Sequence, residues 1–317
     1  MRLFRHYTNL PPAARGASIA IGNFDGVHRG HQAVIAAAQA KAVTLGCPSG
    51  VMTFEPHPRQ VFGRVALPFR LTPYRAKLRF MSELGLDLLY VLRFEPGLYG
   101  LSAEAFVAEI LVRGLGVAQV VVGDNFYFGA KRGGNPALLQ ELGVHYGFGV
   151  TVLGRVAAED GEALSSTRLR EHLKAGEMPA AAEILGRNWE IGGRVLHGAK
   201  RGRDLGMPTA NIDLGESLRP AYGVYAVRVA IEDEAETRWY SGVANLGISP
   251  MFAYDRPLLE AHLFDFSGDL YGRRLRVALV ERLRGEMTFD GLPALMEQMQ
   301  ADGVAAREIL ERDKASA

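Results

Sequence analysis

Two histidines three residues apart, bracketed by glycines, are the first chemistry-bearing feature of this 317-residue chain. They lie in Gly22-Asn-Phe24-Asp25-Gly26-Val-His28-Arg-Gly30-His31. The preceding run, Ser18–Gly22, reads as a strand, and the alanine-rich Gly30–Leu45 that follows reads as a helix. Open α/β sheets bind ligands at the carboxyl ends of their strands, and a helix N-terminus favours anions. Spacing of three puts both imidazoles on one helical face, and Gly30 leaves room for a phosphate chain between them. Two such rings can donate hydrogen bonds to a phosphoryl group as charge develops in its transition state. A metal site is the other reading, with a third ligand drawn from His57 or Asp25. The chain has no GxxxxGK[ST] phosphate loop and no GxGxxG dinucleotide fingerprint.

A second constellation, Leu164-Ser165-Ser166-Thr167-Arg168-Leu169-Arg170, follows the last strand of the first half and opens a helix. Its hydroxyls, its backbone N–H groups and the permanent cation of Arg170 suit a phosphate clamp. Alone, Ser-Ser-Thr there reads as a helix cap. A third run, Gly193 to Asn211, packs Gly198, Lys200, Arg201, Gly202 and Arg203 ahead of Pro208-Thr209-Ala-Asn211. Close-approaching backbone and nearby cations can wrap a triphosphate; the bland alternative is a basic surface loop. In an extended segment the oxygens of Thr209 and Asn211 point to one side, and Mg²⁺ accepts such hard ligands beside phosphate oxygens.

The elements that must position these groups fall into two styles. The first half alternates strands (Ser18–Gly22, Val51–Phe54, Leu86–Leu92, Ala118–Val122, Val150–Leu153) with helices (Gly30–Leu45, Tyr74–Leu84, Ser102–Leu115, one opened by Asn135-Pro136, and one from Ser166). That alternation implies a parallel sheet covered on both faces. The second half offers β-rich runs at Arg194–Leu196, Gly223–Ile231, Arg238–Ala244, Leu258–Phe266 and Leu275–Arg282, then one helix, Gly291–Leu310. Consecutive strands with one late helix suggest a small antiparallel barrel, with the boundary near Leu185–Asn188.

Composition narrows the class. Hydrophobic residues make up 48% and charged residues 22%, an ordinary globular mixture that argues against disorder or coiled coil. The longest stretch without charge, Trp239–Tyr254, is too short and too polar to span a bilayer, and no signal-peptide core follows Met1. Cys47 is the one cysteine, which excludes an internal disulfide and suits a reducing cytoplasm. Residues 1–186 carry 19 Lys+Arg against 15 Asp+Glu, and residues 187–317 carry 17 against 20. A duplex binder exploiting counterion release needs a larger surplus on one domain, so nucleic acid is not expected as a partner. A small, charged ligand needs only a few placed cations. Self-association is left open.

With HxGH at 28–31 and SSTxxR at 165–170 in a Rossmann-like half, the chain resembles the nucleotidylyltransferase superfamily. More narrowly, Phe24–Gln32, Thr53–Pro58 and Val121–Gly129 resemble bacterial bifunctional riboflavin kinase/FMN adenylyltransferases, also called FAD synthetases. The second half is similar to their riboflavin kinase domain at Pro208–Asn211, Gly223–Tyr225, Gly242–Gly247, Leu259–Leu263, Tyr271-Gly272 and Phe289–Asp302.

The resemblance implies a Rossmann-like nucleotidylyltransferase domain with a parallel sheet over residues 1–186. A small antiparallel β-barrel with a C-terminal helix follows over residues 187–317. It implies that riboflavin is phosphorylated to FMN by ATP, and that FMN is then adenylylated to FAD with release of pyrophosphate. His28 and His31 would stabilise the adenylyl transition state. Gly22, Phe24, Asp25, Gly26, Ser165, Ser166, Thr167 and Arg170 would bind ATP there, and Phe54, Phe62, Asn125 and Phe128 would line the flavin pocket. In the barrel, Gly198, Lys200 and Gly202 would hold ATP, Thr209 and Asn211 the Mg²⁺, and Glu260 would be the general base. Two departures stand out: Met251 replaces a family threonine, and Asn125 an aspartate common in the family. The alternatives are a cytidylyltransferase of the same superfamily and a non-catalytic flavin-binding or regulatory protein. The enzyme is expected in the cytoplasm.

Overall fold

Strands that are apolar on both sides need cover on both sides, and the first half of the chain supplies it. The computed structural model describes residues 1–63, 65, 68–158, 161–196, 208–232, 236–248 and 257–315. The chain divides into two compact units, residues 1–67 with 72–166, and residues 68–71 with 167–317. The expected boundary at 186/187 falls later, between two elements of the second unit.

In the first unit, β1 (Arg2–Phe4), β2 (Ser18–Ile21), β3 (Ser49–Glu55), β4 (Leu88–Arg93), β5 (Gln119–Gly123) and β6 (Gly149–Leu153) form one parallel sheet in the order β1-β4-β3-β2-β5-β6. Alternate residues face opposite layers. Ile19, Ile21, Met52, Phe54, Leu88, Tyr90, Val120 and Val122 join one buried cluster with Phe106, Ile110, Leu111 and Leu139. The intervening Ala20, Val51, Leu89, Val91 and Val121 join another with Ile35, Ala38, Phe80 and Met81. The second cluster is covered by α1 (Arg29–Leu45) and α3 (Tyr74–Glu83), and α2 (Pro58–Val61) is a single turn between them.

The first cluster is covered by α5 (Ala103–Phe106) and its continuation and by α6 (Pro136–Tyr146), with α4 (Pro96–Tyr99) a single turn ahead of α5. The expected caps are present: Ser102 Oγ accepts from Ala105 N at 3.1 Å, and Asn135 Oδ1 from Leu138 N at 3.0 Å. Beyond Phe106 the helix widens to π geometry over Val107–Leu115, for which the structure offers no cause. The edge strand β1 was not expected from the sequence, because three residues carry no period.

In the second unit, α7 (Ser166–Ala175), which starts one residue before the division, and α8 (Met178–Leu185) lead into a closed antiparallel barrel. Its strands are β7 (Trp189–Leu196), β8 (Ala210–Asp213), β9 (Gly223–Ile231), β10 (Trp239–Gly247), β11 (Leu258–Leu263) and β12 (Arg274–Arg284), ordered β10-β11-β8-β7-β12-β9. On β9, Tyr225, Val227, Val229 and Ile231 share one buried face. Val224 and Ala226 point the other way, clustering with Ala306 and Leu310 of the C-terminal helix Leu292–Ala315. That helix is tied down by Arg284, whose Nη2 lies 2.7 Å from Asp302 Oδ2.

Candidate active sites

The first two motifs meet where the strand order reverses. β2 lies between β3 and β5, and its flanking crossovers lead to opposite faces of the sheet; the crevice at such a switch point is where ligands bind in these folds. The Gly22–His28 loop leaves β2 at this crevice through three left-handed residues, Phe24 (φ 49°), Gly26 (φ 100°) and Val27 (φ 46°). Several bonds hold it. Asn23 O accepts from Thr53 Oγ1 at 3.2 Å and from Lys77 Nζ at 3.0 Å. Asp25 Oδ1 accepts from Thr72 N at 3.0 Å, and Gly26 N donates to Thr72 Oγ1 at 2.9 Å. Phe24 is buried in the apolar cluster, so its ring props the loop from below.

His28 caps α1. Its Nδ1 accepts from His31 N at 3.3 Å, which leaves the ring proton on Nε2. The two imidazoles stack with centroids 3.6 Å apart and planes 20° from parallel, and Phe24 meets His31 edge-on at 5.3 Å. The glycines have steric reasons. A Cβ on Gly30 would lie 3.1 Å from the His28 ring and 3.3 Å from Leu164 O, and one on Gly22 would lie 3.1 Å from the Phe24 ring. Among the described residues no group of three His, Cys, Asp or Glu could hold a metal, so the metal reading of this pair gains no support.

Ser166 Oγ donates to Asp25 O at 2.8 Å, which joins the serine motif to the histidine loop. Ser165 is half-buried and Thr167 is exposed. Arg170, one turn into α7, donates from Nε to Phe69 O at 3.1 Å and lies with its guanidinium carbon 5.6 Å from that ring's centre.

The four flavin candidates differ in setting. Phe54 and Phe128 lie in the apolar core, Phe128 stacked on Phe126 at 5.5 Å. Phe62 is 47% exposed and meets Phe94 and Tyr99 edge-on at 5.7 and 5.3 Å. Asn125 is exposed just past the carboxyl end of β5. Phe94 and Tyr99 escaped the sequence reading, because nothing local marks an aromatic as facing Phe62.

The barrel presents a polar row across three strands. Register pairs Glu260 on β11 with Asn211 on β8 and with Asn245 on β10, so the three side chains share one face. Burial pushes the Glu260 carboxyl above the usual carboxylate range. Asn211 is 6% exposed, and its buried Oδ1 has no hydrogen-bond partner among the described residues. Asn211 and Thr209 line one cavity with Leu263, Phe266, Asp269 and Tyr271. His262 Nδ1 lies 2.9 Å from Pro208 O, which fixes the chain just ahead of Thr209. Asn245 and His262 needed the strand register to be found, since sequence spacing does not show which strands are neighbours. Gly198, Lys200, Gly202 and Met251 lie outside the described residues.

A family model described as FAD synthetase matches residues 10–168, and one described as riboflavin kinase matches residues 185–310. The chain is similar to a Pseudomonas fluorescens protein named bifunctional riboflavin kinase/FMN adenylyltransferase, 46% identical over 310 residues and covering 98% of each chain. A protein of the same name from Escherichia coli K12 is 41% identical over 309 residues, 97% of each chain. Among solved structures, one titled macrolide-efflux protein from Streptococcus pneumoniae has a TM-score of 0.83 and 28% identity, covering 96% of this chain and 98% of that one.

Proposed function

The chain belongs to the family of bifunctional riboflavin kinase/FMN adenylyltransferases, and from that premise we propose how its own residues divide the two reactions. The enzyme converts riboflavin and ATP to FMN, and FMN and ATP to FAD. We assign adenylyl transfer to residues 1–186 and riboflavin phosphorylation to residues 187–317.

In adenylyl transfer an FMN phosphate oxygen attacks the α-phosphorus of ATP. A phosphorus–oxygen bond forms as the bond to the β-phosphate oxygen breaks, and pyrophosphate leaves. The attacking phosphate is already an anion, so the protein's task is positioning and charge stabilisation. The His28 Nε2–H and the stacked His31 face the charge that develops. Gly22, Asp25 and Gly26 shape the loop, Phe24 supports it, and Ser165, Ser166, Thr167 and Arg170 bind the departing pyrophosphate. Asp25 also holds Thr72, whose N donates to its Oδ1. The observation that carries this assignment is the capped, stacked histidine pair at the sheet's switch point.

In phosphorylation the ribityl 5′-hydroxyl attacks the γ-phosphorus, Glu260 takes its proton, and ADP leaves. A carboxyl raised by burial is the stronger base once ionised. The donors of Thr209 and Asn211 fit Mg²⁺: both are hard oxygens, and a buried carbonyl oxygen lacking a donor suits a cation. When bound, the ion supplies charge neutralisation at the phosphate oxygens. Phe54, Phe62, Asn125 and Phe128 would form the walls around the flavin in the first unit, and Gly198, Lys200 and Gly202 the phosphate loop in the second.

The efflux in the Streptococcus pneumoniae title stays with that protein; among the described residues no helix is long and apolar enough to cross a membrane. We place the enzyme in the cytoplasm, where its single cysteine would stay reduced. The test is chromatography of the products of riboflavin, ATP and Mg²⁺. FMN should appear first and FAD after it; FMN without FAD, even when FMN is supplied, would remove the first assignment.

A further inference from the structure

The loop that presents His28 is strained. Phe24 and Val27 both have positive φ, and for a β-branched residue that is a true outlier. Such backbone persists only where its surroundings over-determine it. Gly22 N still donates to Met52 O at 3.1 Å, and the next pin is the Asn23 carbonyl, one residue before Phe24, which receives Thr53 Oγ1 and Lys77 Nζ. Lys77 is fully buried, and its Nζ also lies 2.9 Å from Glu55 Oε1. Burying an ammonium is costly, and an apolar pair often serves stability as well as an ion pair does. A buried cation whose reach ends on a loop carbonyl therefore calls for a reason beyond packing. The direction in which the chain leaves β2 supplies it. Rotation of the Asn23 peptide would change φ of Phe24 and carry the change to His28 within four residues.

We propose that Lys77, held by Glu55, is a positioning residue for adenylyl transfer: by fixing the Asn23 carbonyl it keeps Phe24, Gly26 and Val27 left-handed and sets the angle at which His28 caps α1. The proposal rests on the assignment of adenylyl transfer to this loop. The catalytic groups remain His28 and His31, and Lys77 acts through them.

The test replaces the ion pair by a neutral pair of similar volume, Lys77→Met with Glu55→Gln, in the full-length chain. Misplacement of a reacting group by an ångström can cost up to about 10²-fold, so a loosened loop should lower kcat for FAD formation about tenfold. The KM for FMN and the rate of riboflavin phosphorylation should stay within about twofold, because neither depends on the His28 angle. Histidine ¹⁵N shifts supply a readout that lost stability alone would not move. His28 in the unaltered enzyme should show the Nε2–H form, and the variant a mixture of both ring forms. Thr53→Val, which removes the other donor and leaves both charges, should give a smaller loss of about threefold. It decides the matter if the double variant fails to fold.

Unchanged kcat, or a lowered kcat with the His28 signal unmoved, would overturn the proposal. His31→Ala serves as the control for the underlying assignment. If that substitution spares FAD formation, the assignment itself is wrong; if it does not, a silent Lys77→Met/Glu55→Gln variant sinks the positioning role alone.

Discussion

His28 holds a helix and a proton with one ring. Accepting from His31 N ties up Nδ1, so the cap that starts α1 also decides which nitrogen donates. Gly30 guards that arrangement. Alanine there should favour the helix by about 1 kcal/mol relative to glycine, yet its Cβ would lie 3.1 Å from the His28 ring. Gly30→Ala should therefore change Tm little in calorimetry, the propensity gain being offset by the tight contacts at the His28 ring and Leu164 O, while lowering FAD formation about tenfold. Glu260 offers a comparable separation by pH. Its carboxyl sits above the usual range because burial disfavours the charged form. Riboflavin phosphorylation should climb as pH rises through that raised pKa, with no matching limb for adenylyl transfer. Glu260→Gln should remove the limb and lower FMN formation by about 10²–10⁴. Stability runs the other way: the favourable contribution of Glu260 is full below the unfolded-state pKa and is lost as pH rises through the folded one. The glutamine variant should then melt above the unaltered enzyme at neutral pH, and the gap should close in acid.

The elements differed in how plainly they could be read. β9 coincides with its expected span, Gly223–Ile231, because Val224, Tyr225, Val227, Val229 and Ile231 dominate the run. α3 carries its own period, and α1 and α6 carry caps from His28 and Asn135. β7 was expected only at Arg194–Leu196 but begins at Trp189, since Gly192 and Gly193 hide an alternation whose buried partners are Trp189, Ile191 and Val195. β8 was missed as a strand, though the paired reading of Thr209 and Asn211 already assumed extended backbone there. β11 ends at Leu263, short of the expected Phe266, where Asp265 turns left-handed (φ 55°). HxGH and SSTxxR were legible as motifs, whereas their junction, Ser166 to the Asp25 carbonyl, depends on contact across 141 residues of sequence. At this scale the C-terminal helix is testable. Asp302 is buried and accepts from Arg284 and from Gln298 Nε2. Asp302→Ala should cost about 2–3 kcal/mol in denaturant unfolding of the second unit, discounted from the fully buried range because Arg284 is partly exposed.

At the scale of the molecule, a chain of two units of different architecture carries out two phosphoryl chemistries that share a nucleotide and a flavin. The parallel sheet offers a switch point in its strand order and a helix start that favours phosphate. The barrel offers a rigid face on which Asn211, Glu260 and Asn245 sit in register. In the assignment proposed above, cleavage between the α- and β-phosphates belongs to the first and transfer of the terminal group to the second. The decisive measurement is product formation by two single variants of the full chain, each confirmed as folded by circular dichroism. His31→Ala given riboflavin should stop at FMN, and Glu260→Ala should make no FMN but convert supplied FMN to FAD at the unaltered rate. Loss of both products in either folded variant would contradict the account.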